Sequence, residues 1–209
     1  VYEMGSTFKL FTAAMALDSG TTTLNGGYDA SKPIRVARHT IRDYRAKNRW
    51  LSVPEILVHS SNIGAAEMAL DVGGELQRFY LQELGLLEPA AIELPEVGIP
   101  LVPPPTRWRD VHTMTIGFGH GISVSPLQLA SGVAAVVNSG VFRRPTVIRR
   151  EGPGQESSGE EGSGESGPDR DGAGEDSTGE GADEDGRQVI SAETSRMMCA
   201  LMRLIVLSG

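Results

Sequence analysis

An apolar stretch near the start of the chain covers residues 7–18, with hydrophobic side chains on nearly every side of a helical wheel. Ser6 stands before this stretch in a capping position, and Gly20 follows it as a stop signal. A helix that is apolar all round is normally buried. The pattern therefore predicts a central helix inside the hydrophobic core, with Ser6 at its N-terminal end.

Further helices are predicted where apolar residues recur at helical spacing after a capping residue. They cover about residues 52–59, 63–70, 75–84, 126–138 and 192–207. Ser52 and Ser125 are each followed three residues later by Glu or Gln, which is the capping-box pattern. Ser191 is the predicted cap of the last helix.

The segments between these helices lack helical periodicity. Residues 25–50 combine glycine, proline and scattered arginines, which predicts an exposed loop or hairpin with a solvated basic face. Residues 88–109 contain six prolines and cannot form regular structure for long. The β-branched residues at 141–148 favour a short strand.

Residues 151–187 cannot contribute to a core. They contain 13 Asp or Glu, 11 Gly and two Arg, a local charge of −11 within a chain of 209 residues and net charge −8. Without them the chain is mildly basic, at +3, which calls for no nucleic-acid partner. We therefore predict one domain formed by residues 1–150 and 188–209, with an acidic, Gly/Ser-rich disordered insertion at 151–187.

The chain contains no apolar run long enough to cross a membrane and no signal peptide. It begins with Val1, and we expect a fragment of a longer protein whose membrane anchor, if it has one, lies elsewhere. The single cysteine, Cys199, falls within an apolar helical pattern, which predicts a buried packing thiol and excludes an intrachain disulfide.

Ser6 and Lys9 form a Ser-x-x-Lys pattern at the start of the first helix. At this spacing the hydroxyl and the amine share one helix face, so the amine can take the proton of the serine. The positive helix end would stabilise an oxyanion there, and partial burial would lower the pKa of the lysine. The pattern by itself is weak, because a helix cap followed by a solvated lysine has the same sequence.

Ser60 and Asn62 lie at the junction of two short predicted helices, where a hydroxyl and an amide offer a proton relay and a substrate contact, or simply a helix cap. The glycines at 117–121 lack the spacing of a nucleotide-binding loop. The four histidines are scattered without zinc-binding spacing. We therefore expect neither a metal nor a cofactor.

Three motifs in one order carry a resemblance: YEMGSTFK at residues 2–9, SSNIG at residues 60–64 and GFGHGISVSPLQL at residues 117–129. Together they closely resemble the transpeptidase domain of class B penicillin-binding proteins, of the division type. Residues 51–55, Trp108 and residues 189–194 extend the resemblance to essentially everything except the acidic tract.

The resemblance implies a D,D-transpeptidase in which Ser6 attacks the D-Ala-D-Ala carbonyl of a peptidoglycan stem peptide, with Lys9 as its base. Ser60 would pass a proton to the leaving amine, and Asn62 would hold the acyl amide. β-Lactams would be trapped at Ser6. The resemblance also implies a place on the periplasmic face of the inner membrane and, as partners, a SEDS-type glycosyltransferase and other division proteins.

The implied fold is a mainly α fragment of the α/β serine penicillin-binding/β-lactamase-like transpeptidase fold, with the helical subdomain present and most of the central antiparallel sheet missing. The third motif of the family, Lys-Thr-Gly, is absent from the sequence, so full activity of the chain as given is not expected.

Other classes stay open on the residues alone. A serine β-lactamase or carboxypeptidase also contains Ser-x-x-Lys, although residues 117–129 favour the penicillin-binding class. A non-catalytic β-lactam sensor or a degenerate scaffold module would keep the fold without the chemistry. Intact Ser6, Lys9, Ser60 and Asn62 favour an enzyme over such a module.

Overall fold

The computed structural model describes residues 1–36, 39–148 and 186–208. Its helices are α1 (Lys9–Asp18), α2 (Val53–Val58), α3 (Asn62–Val72), α4 (Gly74–Glu83), α5 (Asp110–Gly117), α6 (Pro126–Val137) and α7 (Ala192–Ser208). Its strands are β1 (Gly27–Asp29), β2 (Ile34–Val36), β3 (His39–Ile41), β4 (Trp50–Ser52), β5 (Val141–Phe142) and β6 (Arg187–Gln188). The mainly helical architecture that the sequence predicts is confirmed.

The strands pair antiparallel in twos: β1 with β4, β2 with β3, and β5 with β6. The predicted loop or hairpin at residues 25–50 thus contains the β2–β3 hairpin, while β1 and β4 bring its two ends together. In the segment predicted as a strand at 141–148, only Val141 and Phe142 pair, because β6 offers two residues and Pro145 follows.

Helix α1 lies in the centre of the core and contacts α3, α4, α6 and α7. The predicted burial is confirmed, since Phe11, Ala14 and Ala16 are all 0% exposed. The Phe11 ring packs against Gly132 of α6, where even a methyl group would be tight. Burying one aromatic side chain of this size contributes about 1.5–3 kcal/mol to stability. Helix α1 is therefore firmly held in the core, and this fixes the position of the residues at its N-terminal end.

The start of α1 differs from the prediction. A single 3₁₀ turn, Gly5–Phe8, precedes the α-helix, and Ser6 lies inside that turn instead of capping the helix. Gly5 has φ +54, a conformation that glycine adopts without a steric penalty, and the cap residue Met4 makes no side-chain cap hydrogen bond. The Ser6 hydroxyl is therefore free to face other parts of the chain.

The capping boxes predicted at Ser52 and Ser125 are both confirmed. At the start of α2, the Glu55 carboxylate accepts hydrogen bonds from the backbone N–H and the hydroxyl of Ser52, both at 2.9 Å, and pairs with Arg49 at 2.7 Å. The Arg49 hydrogen bond and the two Ser52 bonds lower the pKa of Glu55 to about 2. This charge at the N-terminus fixes where α2 begins, and with it the turn that follows α2.

Helix α5 has no counterpart among the predicted elements. Its pattern is weakly amphipathic, because His and Thr interrupt the apolar residues. It forms by packing on α3, where Gly117 lies directly against Ala65 and Ala69 and leaves no room for a side chain. The formation of α5 therefore depends on its tertiary contact with α3, because its own sequence pattern does not predict a helix.

The prediction that Cys199 is buried is wrong. Thr194, Met198 and Leu201 form the buried stripe of α7, and Cys199 lies beside that stripe on the exposed surface. Successive residues on a helix are separated by about 100°, so a pattern rich in apolar residues can be read one position too wide.

Of the predicted acidic insertion, residues 151–185 lie outside the described residues. Gly186 and Arg187 are described, and Arg187 begins β6, where its side chain pairs with Glu83 at 2.8 Å. No helix in the described ranges is long and apolar enough to cross a bilayer.

Candidate active site

The amine of Lys9 joins two of the predicted motifs. Lys9 is the first residue of α1 and is 2% exposed. Its Nζ donates to the Oγ of Ser6 at 3.0 Å, and to the Oγ and backbone carbonyl of Ser60 at 2.9 and 2.7 Å. The structure therefore brings Ser6, Lys9 and Ser60 into one cluster.

The two hydroxyls of this cluster also contact each other. The Oγ of Ser60 donates to the Oγ of Ser6 at 3.0 Å. Ser6 and Ser60 are both exposed residues, whereas Lys9 is buried beneath them. A ligand can therefore reach the hydroxyls from solvent, while the amine remains shielded from water.

Burial changes the ionisation of the amine. Desolvation lowers the pKa of Lys9 to about 8, and the negative charge of Asp43 opposes this effect by raising the pKa. With this pKa, on the order of a tenth of Lys9 is neutral at pH 7, far more than for an exposed lysine, and a neutral amine can accept a proton. The predicted direction of the pKa shift is confirmed, with burial as its main cause.

Ser60 occupies an unusual backbone conformation between α2 and α3. Its φ is +52, in the left-handed region that non-glycine residues seldom adopt. Backbone hydrogen bonds from Ser60 to Leu57 at 3.1 Å and from Ser61 to Ile56 at 2.9 Å tie the turn to α2. The turn points both the carbonyl and the hydroxyl of Ser60 towards Lys9, so this strained residue lies at the candidate site.

Asp43 holds the other side of this turn, and no motif in the sequence marks this residue as functional. Its carboxylate accepts from the Ser61 hydroxyl at 2.7 Å, from the Ile63 N–H at 2.9 Å and from the Asn62 N–H. Asp43 thus satisfies free N–H groups at the start of α3 from outside the helix. The signal is hidden in the sequence because the contact spans 18–20 positions.

Asn62 lies apart from the Ser6–Lys9–Ser60 cluster. It is the first residue of α3, and its Nδ2 donates to the backbone carbonyl of Arg42 at 3.0 Å. In the described part of the chain its side chain makes no hydrogen bond to any of the three clustered residues. The structure therefore places Asn62 next to the cluster, on the same turn, without joining it.

The glycines at 117–121, which we call the glycine loop, pack against the chain just ahead of Ser6. The N–H of Gly5 donates to the carbonyl of Gly119 at 3.2 Å. Gly119 has φ +84, and a Cβ there would collide with the carbonyl of Gly5. The glycine loop thus forms a wall of the candidate site.

Comparison with known proteins identifies the family. The penicillin-binding protein transpeptidase domain family matches residues 1–209. The chain is 38% identical over 209 residues to the probable peptidoglycan D,D-transpeptidase FtsI of Caulobacter vibrioides, covering 100% of this chain and 30% of that protein. It is 30% identical over 153 residues to the FtsI of Escherichia coli strain K12, covering 73% of this chain and 26% of that protein. The chain thus spans less than a third of the length of these relatives.

The fold agrees with a solved structure. The TP domain of penicillin-binding protein 3 from Burkholderia pseudomallei superposes with a TM-score of 0.78 at 23% identity, over 98% of this chain and 54% of that chain. The prediction of a helical part of the penicillin-binding transpeptidase fold is confirmed. With its whole length matched by the family, this chain belongs to the penicillin-binding protein transpeptidase domain family.

Proposed function

We propose that this chain carries the acylation machinery of a peptidoglycan D,D-transpeptidase. The observation that carries the proposal is the buried Lys9 amine, which bonds at once to the hydroxyls of Ser6 and Ser60. The relatives that are named peptidoglycan D,D-transpeptidases support the choice of reaction. Ser6 is the proposed nucleophile, Lys9 its base and Ser60 a proton relay.

The geometry supports the first step as follows. A neutral Lys9 amine has two N–H groups and one lone pair. The two N–H groups satisfy the two oxygens of Ser60, which leaves the lone pair facing the Ser6 hydroxyl at 3.0 Å. Lys9 then takes the Ser6 proton as Oγ attacks the carbonyl of the terminal D-Ala-D-Ala bond, and a tetrahedral oxyanion forms at the N-terminal end of the Ser6 turn and α1.

Breakdown of the tetrahedral intermediate needs a proton on the leaving nitrogen. The Lys9 ammonium passes one to Ser60, whose hydroxyl lies 2.9 Å from Nζ, and Ser60 donates its own proton to the departing amine of D-alanine. The acyl group remains as an ester on Ser6. An amine from a second stem peptide then attacks this ester, the same relay runs in reverse, and the cross-link forms.

Asn62 is the proposed contact for the amide of the acyl group. Its Nδ2 is held by the carbonyl of Arg42, which fixes the orientation of the side chain. Its Oδ1 accepts no hydrogen bond from any residue that the structure describes, so it can accept one from a substrate N–H. This residue would orient the substrate without taking part in proton transfer.

The setting of the reaction is part of the same proposal. The substrates are peptidoglycan stem peptides, with β-lactams as mimics that acylate Ser6. The periplasmic face of the inner membrane, a SEDS-type glycosyltransferase and other division proteins follow from the family resemblance as location and partners. Cross-linking in cells with a photoreactive residue on the exposed surface would test the partners directly.

A fluorescent penicillin tests the central claim on the protein encoded by the full reading frame. The wild type should form a covalent adduct on Ser6, detected in a gel and by mass spectrometry of the Ser6 peptide, and Ser6→Ala should form none. Ser19→Ala is the matched control, because Ser19 is an exposed serine at the opposite end of α1. Equal labelling of Ser6→Ala and wild type would overturn the proposal.

Product analysis separates the enzyme classes. A transpeptidase should release D-alanine from a stem pentapeptide and transfer the acyl group to an added D-amino acid, with loss of both activities in Ser6→Ala. Rapid release of hydrolysed penicillin would instead favour a β-lactamase. A stable penicillin adduct without any release of D-alanine would favour a sensor.

A further inference from the structure

The carboxylate of Glu3, three positions ahead of Ser6, reaches across to the glycine loop. Its Oε1 accepts from the N–H of Gly121 at 2.8 Å, and its Oε2 lies 3.1 Å from Nδ1 of His120. These are the hydrogen bonds that the Glu3 carboxylate makes within the described residues. The proposed acylation chemistry uses neither of them.

The backbone on both sides of Glu3 also bonds to the glycine loop or to the residues just after it. Tyr2 and Val124 exchange two hydrogen bonds, at 2.9 and 3.1 Å, and the N–H of Gly5 donates to the carbonyl of Gly119 at 3.2 Å. The segment that leads into Ser6 is therefore paired antiparallel with Val124, just after the glycine loop, and bonded to Gly119 within it; we call this pairing the ribbon. Within this ribbon, Glu3 adds the side-chain contact.

The Ser6 turn depends on such external support. It is one turn of 3₁₀ helix, whose hydrogen-bond geometry is poorer than that of an α-helix, and its cap residue Met4 makes no side-chain cap hydrogen bond. After the turn, the buried hydroxyl of Thr12 donates to the carbonyl of Gly117 at 2.8 Å. The glycine loop is thus attached to the chain both before and after Ser6.

We propose that Glu3 is a positioning residue for acylation: its carboxylate holds the glycine loop against the backbone ahead of Ser6, which keeps the Ser6 hydroxyl within reach of Lys9 and Ser60. The inference rests on the proposed function, because it assigns Glu3 a role in that reaction. Displacing a reacting group by about 1 Å can cost on the order of a hundredfold in rate, so a small relaxation of this ribbon is enough to matter.

The charge of Glu3 fits this role. The hydrogen bond from the Gly121 N–H lowers the pKa of Glu3 against the opposing effect of burial, and His120 lowers it further, so the carboxylate is ionised at neutral pH. The side chains of Glu3 and His120 are 48% and 57% exposed, and a polar contact this exposed adds little stability. The contribution of Glu3 is therefore one of geometry, with a small effect on the stability of the fold.

Pre-steady-state acylation by a fluorescent penicillin tests the inference on the full-length protein. Glu3→Ala should lower the limiting acylation rate constant roughly tenfold or more, with little change in the concentration of penicillin that gives half the limiting rate. Glu3→Gln keeps an oxygen that can accept from Gly121 and should recover the rate to within about threefold of wild type. Glu93→Ala is the matched control, because exposed Glu93 likewise bridges two segments, through Thr146 at 2.8 Å and Val147 at 3.1 Å.

A purely structural role predicts a different result. Glu3→Ala would then lose folded protein or melting temperature, while the folded fraction acylates at the wild-type limiting rate, and this outcome overturns the inference. The inference also fails if Glu3→Gln is as slow as Glu3→Ala.

Amide hydrogen exchange measures how readily the ribbon opens, and this measurement does not depend on the reaction of Ser6 with penicillin. Peptides that contain Gly5 and Gly121 should exchange faster in Glu3→Ala than in wild type and in Glu93→Ala, and unchanged exchange at both sites would refute the positioning role. If wild-type Ser6 does not react with penicillin at all, the proposed function fails, and the exchange measurement still decides whether Glu3 holds the Ser6 turn.

Discussion

The Nζ of Lys9 lies 2.9 Å from the Oγ of Ser60, a residue 51 positions further along the chain. The contact couples the start of the most buried helix to the turn between α2 and α3. One amine therefore serves the packing of the core and the proposed proton transfer at the same time. Replacing it should therefore affect both the reactivity of Ser6 and the stability of the fold.

Lys9→Met should abolish penicillin labelling and alter the dependence of stability on pH. The pKa of Lys9 is lowered from 10.5 to about 8, so the unfolded chain binds more protons than the folded chain between these pH values. The unfolding free energy of the wild type should therefore rise between pH 8 and 10.5 relative to that of Lys9→Met, by at most about 3 kcal/mol.

Urea unfolding of both proteins at a series of pH values measures this difference. Lys32→Met serves as the control, because Lys32 is exposed and its replacement leaves Lys9 in place. Parallel curves for wild type and Lys9→Met across this range would contradict the prediction.

Asp43→Asn should change two features of acylation, the midpoint of its pH profile and its limiting rate at high pH. In the wild type, the rate should rise with pH through a midpoint of about 8, as Lys9 loses its proton. Removing the charge of Asp43 lowers the pKa of Lys9 and moves this midpoint to lower pH. The limiting rate at high pH should fall roughly tenfold, since the turn that carries Ser60 loses part of its support.

The pH profile of penicillin acylation measures both quantities for Asp43→Asn. Asp29→Asn is the comparison, since Asp29 is an exposed carboxylate that bonds to the backbone of Ser31. A profile whose midpoint stays unchanged or moves to higher pH would be evidence against the coupling between Asp43 and Lys9.

Asp18→Asn should destabilise the fold at neutral pH by about 1–2 kcal/mol. Asp18, at the end of α1, accepts hydrogen bonds from Tyr80 at 2.8 Å and from the N–H of Ser191 at 2.7 Å, which ties α1 to α4 and to the start of α7. Burial acts to raise the pKa of Asp18, but these hydrogen bonds outweigh it and lower the pKa.

Because the pKa of Asp18 is lowered on folding, its contribution is fully present above the unfolded value of 3.8 and is lost progressively as the pH falls from there through the lower folded pKa. Thermal melts from pH 7 to pH 3 should therefore show the gap between wild type and Asp18→Asn closing at acid pH. A gap that stays constant down to pH 3 would exclude this account.

Gly119→Ala should reduce penicillin acylation far more than Gly73→Ala. Both glycines have φ +84, so both substitutions introduce the same kind of backbone strain, of about 1–3 kcal/mol. Only at Gly119 does the new methyl group meet the carbonyl of Gly5, whereas a methyl group added at Gly73 would have no other atom within 4 Å. The measurement is the acylation rate per folded molecule of Gly119→Ala and Gly73→Ala, at a temperature where both variants are folded. Equal rates would show that the glycine loop does not position Ser6.

Local rules in the sequence determine most of the helices. The spacing of apolar residues marks α1, α3 and α6, and the capping boxes at Ser52 and Ser125 mark where α2 and α6 begin. These signals are reliable because a helix bonds residues three or four positions apart, so the relevant partners stand next to each other in the sequence. The Ser-x-x-Lys pair belongs to this class, with Ser6 and Lys9 one turn apart.

Tertiary structure alone decides the surroundings of that pair. The contact of Lys9 with Ser60, the support of its turn by Asp43 and the contact of Glu3 with Gly121 join residues far apart in the sequence. Burial, which lowers the pKa of Lys9, is likewise a property of the whole core. Periodicity identifies which residues can form a helix, but a long-range contact exists only after several helices pack. Packing sets the distances between side chains on different helices, and it also determines which side chains are shielded from water.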